Sequence, residues 1–131
     1  MEAHPPPQHR PETILVVDDD ILIRMSIADY LRGSGFEVIE AGDADEAVAV
    51  LTTDTPVDLV FSDVQMPGSI DGFGLARWVR ANRAHIRVIL ASGVVRAAAA
   101  AELDATDAFL EKPFQMRQVT ERLEMLLGHG G

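Results

Sequence analysis

Charged and hydroxyl side chains stand where short apolar segments of this chain end. They are Asp18, Asp19 and Asp20 after the first segment, Asp63 after the third, Ser92 after the fourth and Lys112 after the fifth. Carboxylates that lie close together raise one another's pKa unless a cation lies among them. Because the set offers oxygen ligands and no His or Cys, it suits a hard ion, and the pattern predicts Mg²⁺ with Mn²⁺ as a substitute.

An acidic cluster combined with a lysine indicates phosphoryl chemistry. A carboxylate can attack phosphorus and form an acyl phosphate when a metal ion and a cation neutralise the charge on the phosphoryl oxygens. Lys112 is the only lysine among 11 basic residues, which suggests a site that needs a compact ammonium group. The chain has no Gly-x-x-x-x-Gly-Lys-Ser/Thr loop for a nucleoside triphosphate, so we expect another phosphorylated molecule to be the donor.

Each of these side chains also has an ordinary structural interpretation. An aspartate at a strand-to-helix junction is commonly a helix cap, which is our preferred interpretation of Asp20. Ser92 precedes Gly93 and fits a turn, and Lys112 alone fits a surface charge. The functional interpretation depends on all four strand ends carrying suitable groups at once.

Five short apolar runs alternate with segments of helical periodicity, which predicts an α/β fold. The predicted strands cover residues 14–17, 38–41, 57–61, 88–91 and 108–110. Spacings of about 20 to 30 residues with a helix between strands are typical of right-handed crossovers in a parallel sheet with helices on both faces. Ligands of such sheets bind beyond the carboxyl ends of the strands, where the side chains described above lie.

The helical segments are predicted from apolar stripes and from capping residues. The stripes are Ile23, Ile27, Tyr30 and Leu31; Ala44, Ala47, Val48 and Leu51; Leu75, Ala76 and Val79; an alanine-rich segment at 94–103; and Met116, Val119, Leu123, Leu126 and Leu127. Gly33 and Gly35 end the first helix. Asp43 with Glu46 resembles a capping box for the second helix, and Asp71 caps the third.

Length and composition limit the classes of protein to which the chain can belong. With 131 residues, 47% of them hydrophobic, the chain is expected to form one domain over residues 13–128, after a disordered Pro-rich leader (1–12) and before a short tail (129–131). A net charge of −10 argues against direct binding of nucleic acid. The chain has no cysteine and no apolar run near the roughly 20 residues that span a bilayer, so we expect a cytoplasmic protein without membrane contact.

Four segments together resemble the receiver domain of two-component response regulators. They are ILVVDDD (14–20), DLVFSDVQMPG (58–68), VILASG (88–93) and FLEKPF (109–114). The resemblance covers the chain from Thr13 to about Gly128. It implies a flavodoxin-like, doubly wound sheet of five parallel strands in the order 2-1-3-4-5 with five helices, an order that is described for this kind of receiver.

The resemblance also implies a role for individual residues. Asp63 would be the phosphoacceptor, Asp19 a direct Mg²⁺ ligand, Asp18 a ligand partly through water, the Gln65 main-chain carbonyl a further ligand, Lys112 and Ser92 partners of the phosphoryl group, and Phe109 an aromatic switch. The Lys112–Pro113 bond is implied to be cis. The domain would not be an enzyme in the ordinary sense but a signalling phosphoacceptor, which at most catalyses its own phosphorylation and dephosphorylation.

Three features depart from the family's pattern. The stretch from Met66 to Gly72 is one residue longer than the common motif, so we expect the loop to have a shape of its own. Phe109 replaces the tyrosine of some members and offers no hydroxyl. Gln65 and Val94 occupy positions that the family uses to tune the lifetime of the phosphoryl group.

The implied partners are a histidine kinase or a histidine phosphotransfer protein as donor, a downstream protein target and, optionally, a second copy in a homodimer. We expect the target to bind the face formed by the predicted helix at 94–103, the fifth strand and the last helix. Because only four residues follow the last helix, output is expected by protein contact or phosphorelay.

Two other functions remain open at this point, and a third is disfavoured. Asp18-x-Asp20 after a strand imitates phosphatases of the haloacid dehalogenase type, although no aspartate follows Lys112 and Asp63 would have no role. A receiver-like module that binds partners without phosphorylation is the second alternative. A flavodoxin-like electron carrier is opposed by three aspartates where the flavin phosphate would bind.

Overall fold

The computed structural model describes residues 11–93 and 105–128. Its sheet has five strands, β1 (Thr13–Val17), β2 (Glu37–Ala41), β3 (Leu59–Asp63), β4 (Arg87–Ser92) and β5 (Ala108–Glu111). Every neighbouring pair is parallel, and the order is β2-β1-β3-β4-β5. The predicted fold class and strand order are therefore confirmed.

Four helices connect or follow these strands in the described residues. They are α1 (Ile21–Gly33), α2 (Ala44–Leu51), α3 (Gly72–Asn82) and α4 (Met116–Leu126). The helix predicted at 94–103 lies outside the described residues, as do residues 1–10 of the predicted leader and the tail at 129–131. Of the five predicted helices, α4 is thus the last. Within the described ranges, no helix is long and apolar enough to cross a bilayer.

The residues of β1 alternate between two hydrophobic cores because successive side chains of a strand point to opposite faces. Leu15 and Val17 belong to the core under α2 and α3, whereas Ile14 and Val16 belong to the core under α1 and α4. All of β1 is buried, which is why its sequence is continuously apolar rather than alternating.

The predicted caps begin the first three helices. The Asp20 carboxylate accepts hydrogen bonds from the Leu22 and Ile23 N–H groups at the start of α1. Asp43 accepts from the Glu46 N–H at 2.8 Å, and Asp71 accepts from the Gly74 N–H at 2.9 Å. The return contact of the predicted capping box is shifted by one residue. The Glu46 carboxylate accepts from the N–H of Gly42 (2.6 Å), which precedes the Asp43 cap.

The third strand begins two residues later than its apolar pattern predicted. Val57 is buried but precedes the strand. The Asp58 carboxylate accepts a hydrogen bond from the Thr13 N–H (2.8 Å), so the ladder with β1 begins only after this side-chain contact. The strand continues to Asp63 because its backbone pairs with β4 regardless of the polar side chains.

The buried face of α1 also differs from the predicted stripe. Ile27, Ala28 and Leu31 are buried, whereas Ile23 and Tyr30 are 43% and 44% exposed. The helix therefore buries the side of Ala28, a small residue that the predicted stripe did not include. The apolar side chains that remain outside the core form part of the surface described below.

Candidate functional site

Three carboxylates converge at the carboxyl end of the sheet. Asp18 directly follows β1 and Asp63 ends β3, and these strands are neighbours, with Val17 paired to Ser62. One carboxylate oxygen each from Asp18, Asp19 and Asp63 lies within 4.8 Å of the others. The fold thus brings Asp18, Asp19 and Asp63 together, because the carboxyl ends of parallel strands lie at the same edge of the sheet.

Lys112 reaches the same cluster from β5. Its Nζ lies 3.3 Å from Asp63 Oδ2, and the two side chains are 28% and 11% exposed. The Lys112 N–H donates to the Ser92 carbonyl at 2.8 Å. Ser92 is buried at the end of β4, one residue beyond Ala91, which pairs with Asp63. The Lys112–Pro113 bond is cis, as expected.

The electrostatics of the cluster favour a bound cation. Burial is the main cause that raises the pKa of Asp18, and the Asp63 and Asp19 charges raise it further; the Asp20 N–H and Lys112 oppose the shift. Asp63 Oδ1 is buried and has no hydrogen-bond partner among the described residues. An oxygen-only donor set with an unpartnered buried carboxylate oxygen fits Mg²⁺, which prefers such ligands.

Arg24 is a residue of the site that the sequence analysis missed. Its Nη1 donates to the Asp18 carbonyl at 2.8 Å and its Nε to Glu40 Oε1 at 3.1 Å. The Asp18 N–H donates to the Ala41 carbonyl at 3.1 Å. Hydrogen bonds therefore hold the backbone of Asp18 at both its N–H and its carbonyl. The only available signal was an arginine one turn after the Asp20 cap.

Gly72 is a second residue that the sequence analysis assigned no role at the site. A Cβ at this position would lie 2.7 Å from Val64 Cα and would also overlap the Asp63 carbonyl oxygen. The Gly72 N–H donates to the Val64 carbonyl at 2.8 Å. The first residue of α3 therefore packs directly on the peptide that follows the Asp63 side chain, and only glycine fits there.

The other predicted residues lie around this centre. Gln65 is exposed in the loop after β3, two residues beyond Asp63. Phe109 is 37% exposed, and its ring stacks on Phe73 of α3 with centroids 6.4 Å apart. Val94 and the rest of the predicted helix at 94–103 lie outside the described residues, whereas β5 and α4, the other two parts of the predicted output face, are described. The role of Phe109 as a switch stays a prediction.

The family model of the response regulator receiver domain matches residues 14–124. The chain belongs to this family. The receiver domain is 36% identical over 117 residues to the transcriptional regulatory protein PdtaR of Mycobacterium tuberculosis, covering 88% of the chain and 56% of PdtaR. It is 37% identical to FixJ of Azorhizobium caulinodans, covering 86% of the chain and 54% of FixJ. The chain thus spans about half the length of these relatives.

Solved structures agree with this assignment. TrrA of Thermotoga maritima, a response regulator crystallised with Mg²⁺-BeF, has a TM-score of 0.79 at 28% identity and covers 88% of this chain and 98% of its own. A receiver domain protein from Methanospirillum hungatei has a TM-score of 0.81 at 27% identity, covering 92% and 96%. The receiver domain therefore has the fold of the response regulators of two-component signalling.

An apolar groove borders the acidic site of the receiver domain. It has a volume of about 590 Å³ and is lined by Leu22, Ile23, Ser26, Ile27, Lys112, Pro113 and Phe114. Leu22 is 75% exposed on the side of the groove formed by α1. The residue that contacts Asp63, Lys112, is thus also part of an apolar surface.

The roles of neighbouring aspartates can be separated by metal binding. Asp19→Ala removes a carboxylate of the cluster, whereas Asp20→Ala removes the α1 cap. We expect Asp19→Ala to weaken Mg²⁺ binding by at least about ten-fold, since one or two carboxylates supply most of the affinity for this ion. Asp20→Ala should mainly lower thermal stability, by about 1 kcal/mol. Isothermal titration with Mg²⁺ and thermal unfolding measure the two effects, and equal losses of affinity would contradict the assignment.

Proposed function

We propose that the receiver domain accepts a phosphoryl group on Asp63 from the phosphohistidine of a histidine kinase or histidine phosphotransfer protein. The observation that carries the proposal is the environment of the Asp63 carboxylate. Lys112 lies against Oδ2, and Oδ1 is buried without a partner among the described residues. The ammonium orients such a carboxylate, and its unpartnered oxygen is able to bind a metal ion or attack phosphorus.

Asp18, Asp19, Asp63 and the Gln65 carbonyl are the residues that would hold Mg²⁺ or, as a substitute, Mn²⁺. When bound, this ion neutralises negative charge on the phosphoryl oxygens. An Asp63 carboxylate oxygen forms the bond to phosphorus while the phosphorus–nitrogen bond of the donor breaks and its electron pair returns to the imidazole. Lys112 stabilises the charge at the phosphoryl group, and Ser92 is assigned a hydrogen bond to it.

The arrangement favours Asp63 over Asp18 as the nucleophile. A phosphatase of the haloacid dehalogenase type would use Asp18, which is buried, with Oδ1 accepting the Asp20 N–H at 2.9 Å. Asp63 is the carboxylate paired to Lys112. The proposal therefore gives both aspartates a role, whereas the phosphatase interpretation leaves Asp63 without one.

Metal dependence tests the proposal on the wild-type protein. The domain is incubated with acetyl phosphate and Mg²⁺, and its intact mass is recorded by mass spectrometry. We expect one added phosphoryl group with Mg²⁺ and none in EDTA, because the clustered charges otherwise repel the donor. Equal modification in EDTA would refute the proposal.

The groove beside Lys112 supports a protein donor rather than a small molecule alone. Exposed apolar side chains at the rim of a reactive site provide area that a helix of a donor protein can cover. On α1 the exposed large side chains are Ile21, Leu22, Ile23, Met25 and Tyr30. We assign this surface to the donor. The downstream target or a second copy is assigned to the face of residues 94–103, β5 and α4.

A charge placed in the groove should separate the two kinds of donor. Leu22→Asp should slow phosphotransfer from a phosphorylated histidine protein at least about ten-fold, because an apolar contact is replaced by a carboxylate that must be desolvated. Phosphorylation by acetyl phosphate should change less than about two-fold. The control is Ala49→Asp, which adds the same charge to an exposed position of α2 under the other face of the sheet. Equal slowing by both variants would rule out docking in the groove.

A further inference from the structure

The loop after the phosphoacceptor strand, residues 64–71, is closed at its base. The Val64 N–H donates to the Ala91 carbonyl at 2.9 Å, and the Val64 carbonyl accepts from the Gly72 N–H at 2.8 Å. The first bond joins the start of the loop to β4, and the second joins the start of the loop to the first residue of α3. Gln65, whose carbonyl is assigned to the metal, directly follows this fixed base.

The outer end of the same loop is attached to α2. The Ser69 hydroxyl donates to Asp45 Oδ1 at 2.7 Å, and the Ser69 N–H donates to Asp45 Oδ2 at 3.3 Å. Gly68 has a φ of +115°, and a Cβ there would lie 3.0 Å from Asp45 Oδ2. The glycine thus permits both the turn and the approach of the carboxylate.

Asp45 is well suited to hold the loop. It lies in the first turn of α2, where the helix dipole stabilises a negative charge. The Ser69 hydroxyl and then the Ser69 N–H lower the pKa of Asp45, so the carboxylate is ionised when it accepts both bonds. Ser69 belongs to the stretch from Met66 to Gly72 that is one residue longer than the common family motif.

We propose that Asp45 is a positioning residue for the metal site, which acts by holding Ser69 and thereby fixing the loop segment that presents the Gln65 carbonyl. The inference rests on the proposed magnesium site. With Val64 fixed at one side and Ser69 at the other, Gln65 has few alternative backbone conformations. A ligand that is already oriented loses less conformational entropy when the ion binds.

Asp45 and Ser69 are both exposed, so their replacement leaves the cores intact. The test is isothermal titration of Mg²⁺ into Asp45→Ala, with Asp54→Ala as the control. Asp54 is an exposed aspartate after the other end of α2, so the control removes the same charge without the contact to Ser69. We expect the Mg²⁺ dissociation constant to rise about three- to ten-fold for Asp45→Ala and to stay within about two-fold for Asp54→Ala.

Two further variants separate positioning from a general effect on the fold. Asp45→Asn keeps an acceptor for the Ser69 hydroxyl but replaces the oxygen that accepts from the Ser69 N–H by an amide nitrogen, so its affinity should lie between those of the wild type and Asp45→Ala. Asp45→Ala combined with Ser69→Ala should bind Mg²⁺ no more weakly than Asp45→Ala alone, since both changes break one contact. Thermal unfolding without metal should be the same for all variants within about 2 °C, because the contact is on the surface.

The outcomes distinguish this inference from the proposed function. If the wild-type domain binds Mg²⁺ and Asp45→Ala binds it equally well, the positioning role is wrong and the proposed function stands. Equal weakening by Asp54→Ala would show a general effect of charge and would also overturn the inference. A wild-type domain that binds no Mg²⁺ would overturn both.

Discussion

Asp63→Asn should abolish phosphorylation by acetyl phosphate, to less than about 1% of the wild-type level, because an amide oxygen is a poor nucleophile. The substitution is nearly isosteric, and its oxygen can still accept a hydrogen bond from Lys112 Nζ, 3.3 Å away in the wild type. Asparagine also removes one of the charges that raise the pKa of Asp18. The variant is therefore expected to fold normally and, because like-charge repulsion is reduced, to be at least as stable without metal.

Loss of phosphorylation in Asp63→Asn identifies the phosphoacceptor only if removing an aspartate charge elsewhere has no such effect. Intact mass after incubation with acetyl phosphate and Mg²⁺ measures it, and Asp54→Asn, which also removes one exposed charge, should be phosphorylated like the wild type. Asp18→Asn should lose Mg²⁺ affinity while keeping the nucleophile. Were Asp63→Asn still modified and Asp18→Asn fully inert, the phosphatase interpretation would replace the present one.

The second large effect is expected at Lys112. Lys112→Met should slow phosphorylation by about 100-fold, the usual consequence of removing one group that stabilises developing charge. Lys112→Arg should not restore the rate to within ten-fold of the wild type, since a planar guanidinium does not replace a compact ammonium in a confined site. Lysine and arginine carry the same charge, so a slow rate for Lys112→Arg would show that the shape of the cationic group matters.

Time courses of phosphorylation at saturating Mg²⁺ measure this difference between the two cations. Arg117→Lys is the control, because it exchanges the same pair of residue types at an exposed position on α4. It should leave the rate unchanged. A wild-type rate for Lys112→Arg would contradict this expectation, because any positive charge near Asp63 would then be sufficient.

The sequence predicted the fold and the main site residues because both depend on local patterns. Largely apolar runs of three to five residues marked the strands, and parallel strands bring the residues at their carboxyl ends together whatever lies between them. Asp63 and Lys112 are 49 positions apart in the sequence and yet in contact. The caps at Asp20 and Asp71 were predictable for the same reason, since each contact spans only two or three residues.

The contacts that orient the site could not be predicted in this way. Ser69 reaches Asp45 across 24 positions, and nothing in either segment alone indicates the partner. The predicted buried stripe of α1 was right at Ile27 and Leu31 but wrong at Ile23 and Tyr30, and it did not include the buried Ala28. Such details are set by packing between elements rather than by periodicity within one.

The close contact between Gly72 and the Asp63 peptide couples the position of the start of α3 to that of the end of β3. With no side chain between them, a displacement of the Asp63 backbone must move the start of the helix rather than be absorbed by rotamer changes. The same helix carries Trp78, the single tryptophan of the chain, packed at the edge of a core. We therefore expect the fluorescence of Trp78 to change when Asp63 is phosphorylated, so that the reaction can be followed in real time without labelling.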